Sequence, residues 1–198
     1  MSPHPSDIQL DALREVANIG CGHAISALAR LVGGRTVNLS VPRAMLAEAT
    51  EIAQQLGGGD ASVVAAKLGI SGPLRGLMLL VLPTQDSLAL ERLLVRRDDA
   101  PPEERESALA ETANIVASAC LSAIGMLTSW RLLPTVPTLL RGEAGPILHD
   151  AVVETQGDGR VVALETRFDS VGIPAVSGQV LLLLDRESSH ALLTRLGV

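Results

Sequence analysis

The chain has 198 residues, 47% of them hydrophobic, and a formal net charge of −6, which supplies one ample core or at most two small ones and argues against disorder. Aromatic content is 1%, from Trp130 and Phe168 with no tyrosine. The core must therefore be built from Leu, Val, Ile and Ala, and a nucleic-acid partner is excluded for want of both stacking platforms and a basic footprint. The longest unbroken apolar runs, Leu77–Leu82 and Val180–Leu184, are too short to span a bilayer. The start MSPHPSDIQL lacks the basic and apolar regions of a signal peptide, so a cytoplasmic location without membrane insertion is expected.

In chain order, Asp7 to about Val32 reads as one helix. Leu10, Leu13, Val16, Ala17, Ile19 and Ala24 recur at helical spacing, with Asp7 as N-cap and Gly33-Gly34 as the stop. Gly20 and Gly22 lie inside it at a cost of about 1 kcal/mol each relative to alanine, which suggests close approach of another helix or a partner near Asn18. Thr36–Leu46 reads as extended and includes Val41-Pro42. Ala47–Leu56 is weakly helical, and Gly57-Gly58-Gly59-Asp60 is a turn without the lysine of a phosphate loop. Val63–Ile70 and Leu74–Leu82 read as strands paired about Ser71-Gly72-Pro73, followed by a helix over Thr84–Arg96 and a charged link over Arg97–Pro102.

The second half repeats this plan. Glu103–Trp130 is a second long helix, and the acidic run Asp98, Asp99, Glu103, Glu104 and Glu106 at its start complements the helix dipole. Arg131–Leu140 holds Pro134 and Pro137, and Ala144–Asp150 carries no decisive pattern. Arg160–Asp169 and Val176–Leu184 read as strands, and Arg186–Leu196 as the last helix. Helix, extended segment, strand, strand and helix, given twice, predict an α/β (α+β) fold with a mostly antiparallel sheet and the two long helices together on one face.

The halves share more than their order. Asp11, Glu15 and Asn18 recur as Ser107, Glu111 and Asn114 at a constant offset of 96, in the form [Asp/Ser]-x3-Glu-x2-Asn-Ile. Asp60–Ala65 resembles Asp158–Ala163 at an offset of 98, and Gly76–Leu82 resembles Gly178–Leu184 at 102. Insertions in loops explain the drift. Two units are too few for a solenoid, so the reading is a single domain over 1–198 with pseudo-two-fold symmetry, its repeats spanning about 7–96 and 103–198.

Residues three and four apart share one helix face, so each copy presents a carboxylate beside a carboxamide. The carboxylate can pair with a partner's lysine. The amide donates and accepts at once and can hold a water in one orientation, which suits hydrolysis by water positioning. A single copy matches an ordinary solvated helix face, but two in register within a wider repeat do not. Elsewhere the chemistry is thin. His4, His23, His149 and His190 have no metal-ligand spacing, Ser118 and Ser122 lack a G-x-S-x-G elbow, and Cys21 and Cys120 read as small apolar fillers rather than a disulfide.

These residues resemble the CheC/CheX/FliY family of chemotaxis phosphatases, whose pattern is Asp/Ser-x3-Glu-x2-Asn followed some twenty residues later by proline. Pro42 and Pro137 are the candidate prolines, and NIGCGHAISAL at Asn18–Leu28 looks like the family's NIGxGxAxxAL signature. The resemblance is closest to CheC-type members, because both copies of the motif look intact and the length leaves no room for FliY's added motor-binding domain. It implies dephosphorylation of the aspartyl phosphate of a CheY-type response regulator in chemotaxis. Asn18 and Asn114 would orient the attacking water, and Glu15 and Glu111 would pair with the regulator's lysine. Asp11, Ser107, Pro42 and Pro137 would support the contact. No cofactor of its own is implied, since Mg2+ belongs to the regulator's site, and internal duplication favours a monomer. The resemblance also admits two other readings: a non-catalytic adaptor that binds the receptor deamidase CheD or sequesters the phosphorylated regulator, and a phosphatase for a regulator outside chemotaxis.

Overall fold

The structure, a computed structural model, describes residues 5–97, 99–156 and 159–198. The readings that involved His4, Asp98 and Asp158 fall outside these residues.

Among the described residues six helices and eight strands alternate along the chain. Helix α1 (Asp7–Leu31) is capped by Ser6 and not by Asp7. Ser6 Oγ accepts the Gln9 N–H at 3.3 Å, and Gln9 Oε1 accepts the Ser6 N–H at 3.0 Å. This capping box needs its polar partner three residues after the cap, a spacing that Ser6 has with Gln9 and Asp7 lacks. Asp7 instead occupies the first turn, where its charge suits the dipole. Gly33 and Gly34 end the helix with φ of 82° and 77°.

The extended segment that follows is two strands, β1 (Val37–Leu39) and β2 (Arg43–Ala47), broken at Ser40-Val41-Pro42. Next come α2 (Ala49–Gln55), the hairpin β3 (Ser62–Ser71) and β4 (Gly76–Pro83), and α3 (Thr84–Val95). The second half gives α4 (Pro102–Thr128), β5 (Leu133–Pro134), β6 (Thr138–Glu143), α5 (Ala144–Thr155), the hairpin β7 (Val161–Ser170) and β8 (Ser177–Leu184), and α6 (Arg186–Leu196). The undecided segment is thus a helix. Gly145 and Pro146 obscure its start, yet a first-turn proline is tolerated because that N–H lacks a helical partner anyway. Ala144, Leu148, Ala151 and Val152 form its buried stripe.

All strand pairs are antiparallel, in the order β1-β7-β8-β4-β3-β5, with β2 also on β7 and β6 also on β3. In the central pair, Leu79 of β4 lies opposite Leu181 of β8, its own repeat counterpart. The pseudo-two-fold therefore passes through this pair, perpendicular to the sheet. The flanks are exchanged between halves: β1 and β2 pair with β7, and β5 and β6 pair with β3. Their registers correspond, Arg43 facing Glu165 where Thr138 faces Lys67.

Alternating strand residues serve two cores. Val64, Ala66, Leu68, Leu80 and Leu82 pack under α1, α3, α4 and α6. Val63, Ala65, Leu79, Val81 and Leu181 pack against α2 and α5 on the opposite face. The two long helices do share one face, and α1 packs directly on α4. A perpendicular two-fold makes them antiparallel. Gly20 permits the contact: a Cβ there would lie 2.9 Å from Cys120 Sγ and 3.2 Å from Ile124 Cγ1. Gly22, also expected to mark a close approach, has nothing within 4 Å. Helix α4 has the length and apolarity of a membrane span, but 56% of its most apolar stretch is buried inside the fold, as befits a core helix.

Candidate functional site

Each long helix sorts its residues by face. On α1, Leu13, Val16, Ala17 and Gly20 are buried, while Asp11, Glu15 and Asn18 are exposed. On α4, Leu109, Thr112, Ala113 and Val116 are buried, Ser107 and Glu111 are exposed, and Asn114 is half-buried. Burial of the apolar stripe thus fixes which way each Glu–Asn pair points. Among the described residues, the side chains of Glu15, Asn18, Ser107, Glu111 and Asn114 have no hydrogen bond or ion pair. Asp11 differs, pairing with Arg14 one turn on at 2.6 Å.

The helices cross where Gly20 and Cys21 meet Cys120 and Ile124, and each motif lies on the N-terminal side of that crossing. At a rise of 1.5 Å per residue, antiparallel packing separates Asn18 from Asn114 by roughly 15 Å along the helix axes. The chain therefore carries two patches, not one composite site.

Pro42 is buried and Pro137 half-buried. The bend at Pro42 reaches α1: Arg14, Val41, Pro42, Arg43, Glu165 and Arg167 line an open pocket of about 600 Å³. Arg167 Nε pairs with the buried Glu165 at 3.2 Å, and Arg43 donates to Gln55 Oε1 at 2.6 Å. This cationic rim is missing at the second patch, where the counterparts of Arg14, Arg43 and Arg167 are Ala110, Thr138 and Gly69. Sequence reading missed the rim because Arg43 and Arg167 meet only through β2–β7 pairing, which no local pattern marks.

Cys21 and Cys120 are free, buried thiols in mutual contact. The hydrogen bond from Cys120 draws the Cys21 pKa down, and the same bond together with burial pushes Cys120 well up. They fill the helix crossing, as expected of small apolar residues. Among the described residues no three His, Cys, Asp or Glu side chains cluster as metal ligands do.

The model of the CheC-like family matches residues 8–46, from α1 through β2. Over 197 aligned residues the chain is 32% identical to the CheY-P phosphatase CheC of Bacillus subtilis strain 168, covering 96% of this chain and 94% of that protein. The chain belongs to the CheC-like family. This CheC-like protein also has the fold of Thermotoga maritima FliY, with a TM-score of 0.77 at 16% identity over 98% of each chain. It resembles a chain of the CheX–CheY–BeF3–Mg2+ complex of Borrelia burgdorferi with a TM-score of 0.54 at 17% identity, over 86% of this chain and 95% of that one.

Proposed function

We propose that this CheC-like protein dephosphorylates the aspartyl phosphate of a CheY-type response regulator at two sites, one on Glu15 and Asn18 and one on Glu111 and Asn114. The observation that carries the reading is the pair of matched Glu–Asn faces, both turned outward with their side chains unengaged, in a chain 32% identical over nearly its whole length to a CheY-P phosphatase. The CheX–CheY complex among its structural neighbours supports the class of partner.

In this mechanism the carboxamide of Asn18 or Asn114 enters beside the aspartyl phosphate and holds a water in line with the phosphorus. Glutamate pairs with the regulator's lysine and fixes the approach. Asp11, Ser107, Pro42 and Pro137 support the docked partner, and Mg2+ stays in the regulator's own site. Carboxamides do not titrate near neutral pH, so the contribution is positioning rather than general-base catalysis. Phosphoryl transfer rewards that kind of help. The protein works in the cytoplasm as a monomer, with chemotaxis as its setting.

The test is phosphate release from a phosphorylated CheY-type regulator with Mg2+, using wild type, Asn18→Ala, Asn114→Ala and the double variant. Loss of the positioned water should lower kcat by about a hundredfold in the double variant, and the single variants rank the two sites. Unchanged turnover in the double variant sinks the reading. Regulator binding without accelerated release would favour an adaptor, for which CheD is the partner to try.

A further inference from the structure

Val41 and Val136 are 84% and 86% exposed. A scattered exposed valine needs no explanation, but these two occupy corresponding places. Ser40-Val41-Pro42 and Thr135-Val136-Pro137 are the same hydroxyl-valine-proline tripeptide in the two halves.

They are also held by the same hydrogen bonds. The Ser40 N–H donates to the Arg167 carbonyl at 2.9 Å, and the Arg167 N–H donates back to Ser40 Oγ at 3.0 Å. The Thr135 N–H donates to the Gly69 carbonyl at 2.9 Å, and the Gly69 N–H donates back to Thr135 Oγ1 at 2.8 Å. Arg167 and Gly69 are themselves repeat counterparts. Beyond each valine, proline fixes the backbone φ. Each tip is thus pinned on one side by a two-bond clamp and on the other by a ring. The fold twice holds an apolar side chain rigidly in water, where it contributes nothing to the core.

Location suggests the purpose. Val41 lines the same pocket as Arg14, which lies one turn before Asn18 on α1. The tip therefore borders the first Glu–Asn face, and the two-fold puts Val136 at the border of the second. We infer that Val41 and Val136 are apolar anchors that seat in the phosphorylated response regulator beside its aspartyl phosphate, an inference that rests on the phosphatase reading. A pre-organised apolar contact at the edge of a polar site suits such docking, because little freedom is lost on binding. Around Val41 lie Arg14, paired with Asp11, Arg167, paired with Glu165, and Arg43, bonded among the described residues only to the neutral Gln55 amide. This leaves a net positive charge facing an anionic phosphate site, so the partner's surface is apolar at the tip and acidic around it.

The experiment isolates one site at a time. With Asn114→Ala, only the first site works. Val41→Ser in that background should raise KM for the phosphorylated regulator about tenfold, the value of burying one valine side chain, with kcat unchanged. Val136→Ser in the same background should change neither. With Asn18→Ala the roles reverse. Affinity for the regulator loaded with BeF3 and Mg2+ reads both docking sites, because Asn→Ala removes the positioned water and not the docking surface, so it should weaken at one site with either valine replaced and at both with the pair replaced. Both valines are exposed, so folding is spared, and equal thermal midpoints check this. An unchanged KM on replacing the same-side valine overturns the inference, as does an equal effect on KM from either valine whichever asparagine remains. A wild type that binds the loaded regulator through its valines but releases no phosphate overturns the phosphatase reading and upholds the anchors.

Discussion

Replacing Gly20 and Gly22 by alanine should move stability in opposite directions, although the two lie on one helix two residues apart. Each substitution gains about 1 kcal/mol of helix propensity. At Gly22 nothing lies within 4 Å of the new methyl, so the gain is kept, and at about 2–4 °C per kcal/mol for a chain this size the thermal midpoint should rise by some 2–4 °C. At Gly20 the methyl would sit 2.9 Å from Cys120 Sγ and 3.2 and 3.3 Å from two atoms of Ile124. Cys120 and Ile124 are buried, so neither side chain has open space to enter and the α1–α4 contact must widen. Overpacking of that kind costs about 1–3 kcal/mol, which outweighs the propensity gain and leaves a net loss of about 1 kcal/mol. Thermal and urea denaturation of both variants is the assay. The double variant Gly20→Ala/Cys120→Ala adds a direct check, because removing the sulfur removes the tightest contact and should restore part of the loss. A Gly20→Ala protein as stable as Gly22→Ala, or a double variant whose effects are purely additive, refutes the argument.

Other consequences follow from single contacts. Ser6→Ala removes the cap of α1 and should cost about 1 kcal/mol in urea denaturation, whereas Ser6→Asp should cost little. Arg141 pairs with the buried Glu91 at 3.2 Å; Arg141→Leu leaves that carboxylate only the Ser87 hydroxyl. Because Arg141 is itself 39% exposed, the expected loss is about 1–2 kcal/mol and not the larger figure of a fully buried pair, and adding Glu91→Gln should recover part of it. Cys21 and Cys120 are buried free thiols, so a colorimetric thiol reagent should modify both slowly in the native protein and both quickly in denaturant; fast labelling of either under native conditions would contradict the packing of the helix crossing.

The long helices, both hairpins and the Glu–Asn faces were legible because each rests on local periodicity, and a constant offset between halves needs no structure to be seen. What escaped was set by partners distant in sequence. The exchange of β1–β2 and β5–β6 depends on which sheet edge each segment meets, and no residue pattern names an edge. The arginine rim exists only because β2 lies on β7. The contact of Cys21 with Cys120 escaped for a related reason. Repeat counterparts share a constant difference in residue number, whereas neighbours across an antiparallel two-fold share a constant sum, so the cysteines could meet without occupying equivalent places. Helix α5 was hidden by Gly145-Pro146, and the Ser6 cap by an equally polar neighbour.

The exchanged strands also limit what duplication can provide. The clamp under Val41 joins Ser40 from one half to Arg167 from the other, and the clamp under Val136 does the reverse. The protein carries two copies of the Glu–Asn face but only one scaffold. Heat or a core lesion that loosens either half disables both patches together, and a truncation designed to keep one would remove the strands that frame it. On the proposed two-site reading, redundancy would guard against a lost asparagine and not against unfolding, and only point changes within a single patch would make a one-site protein.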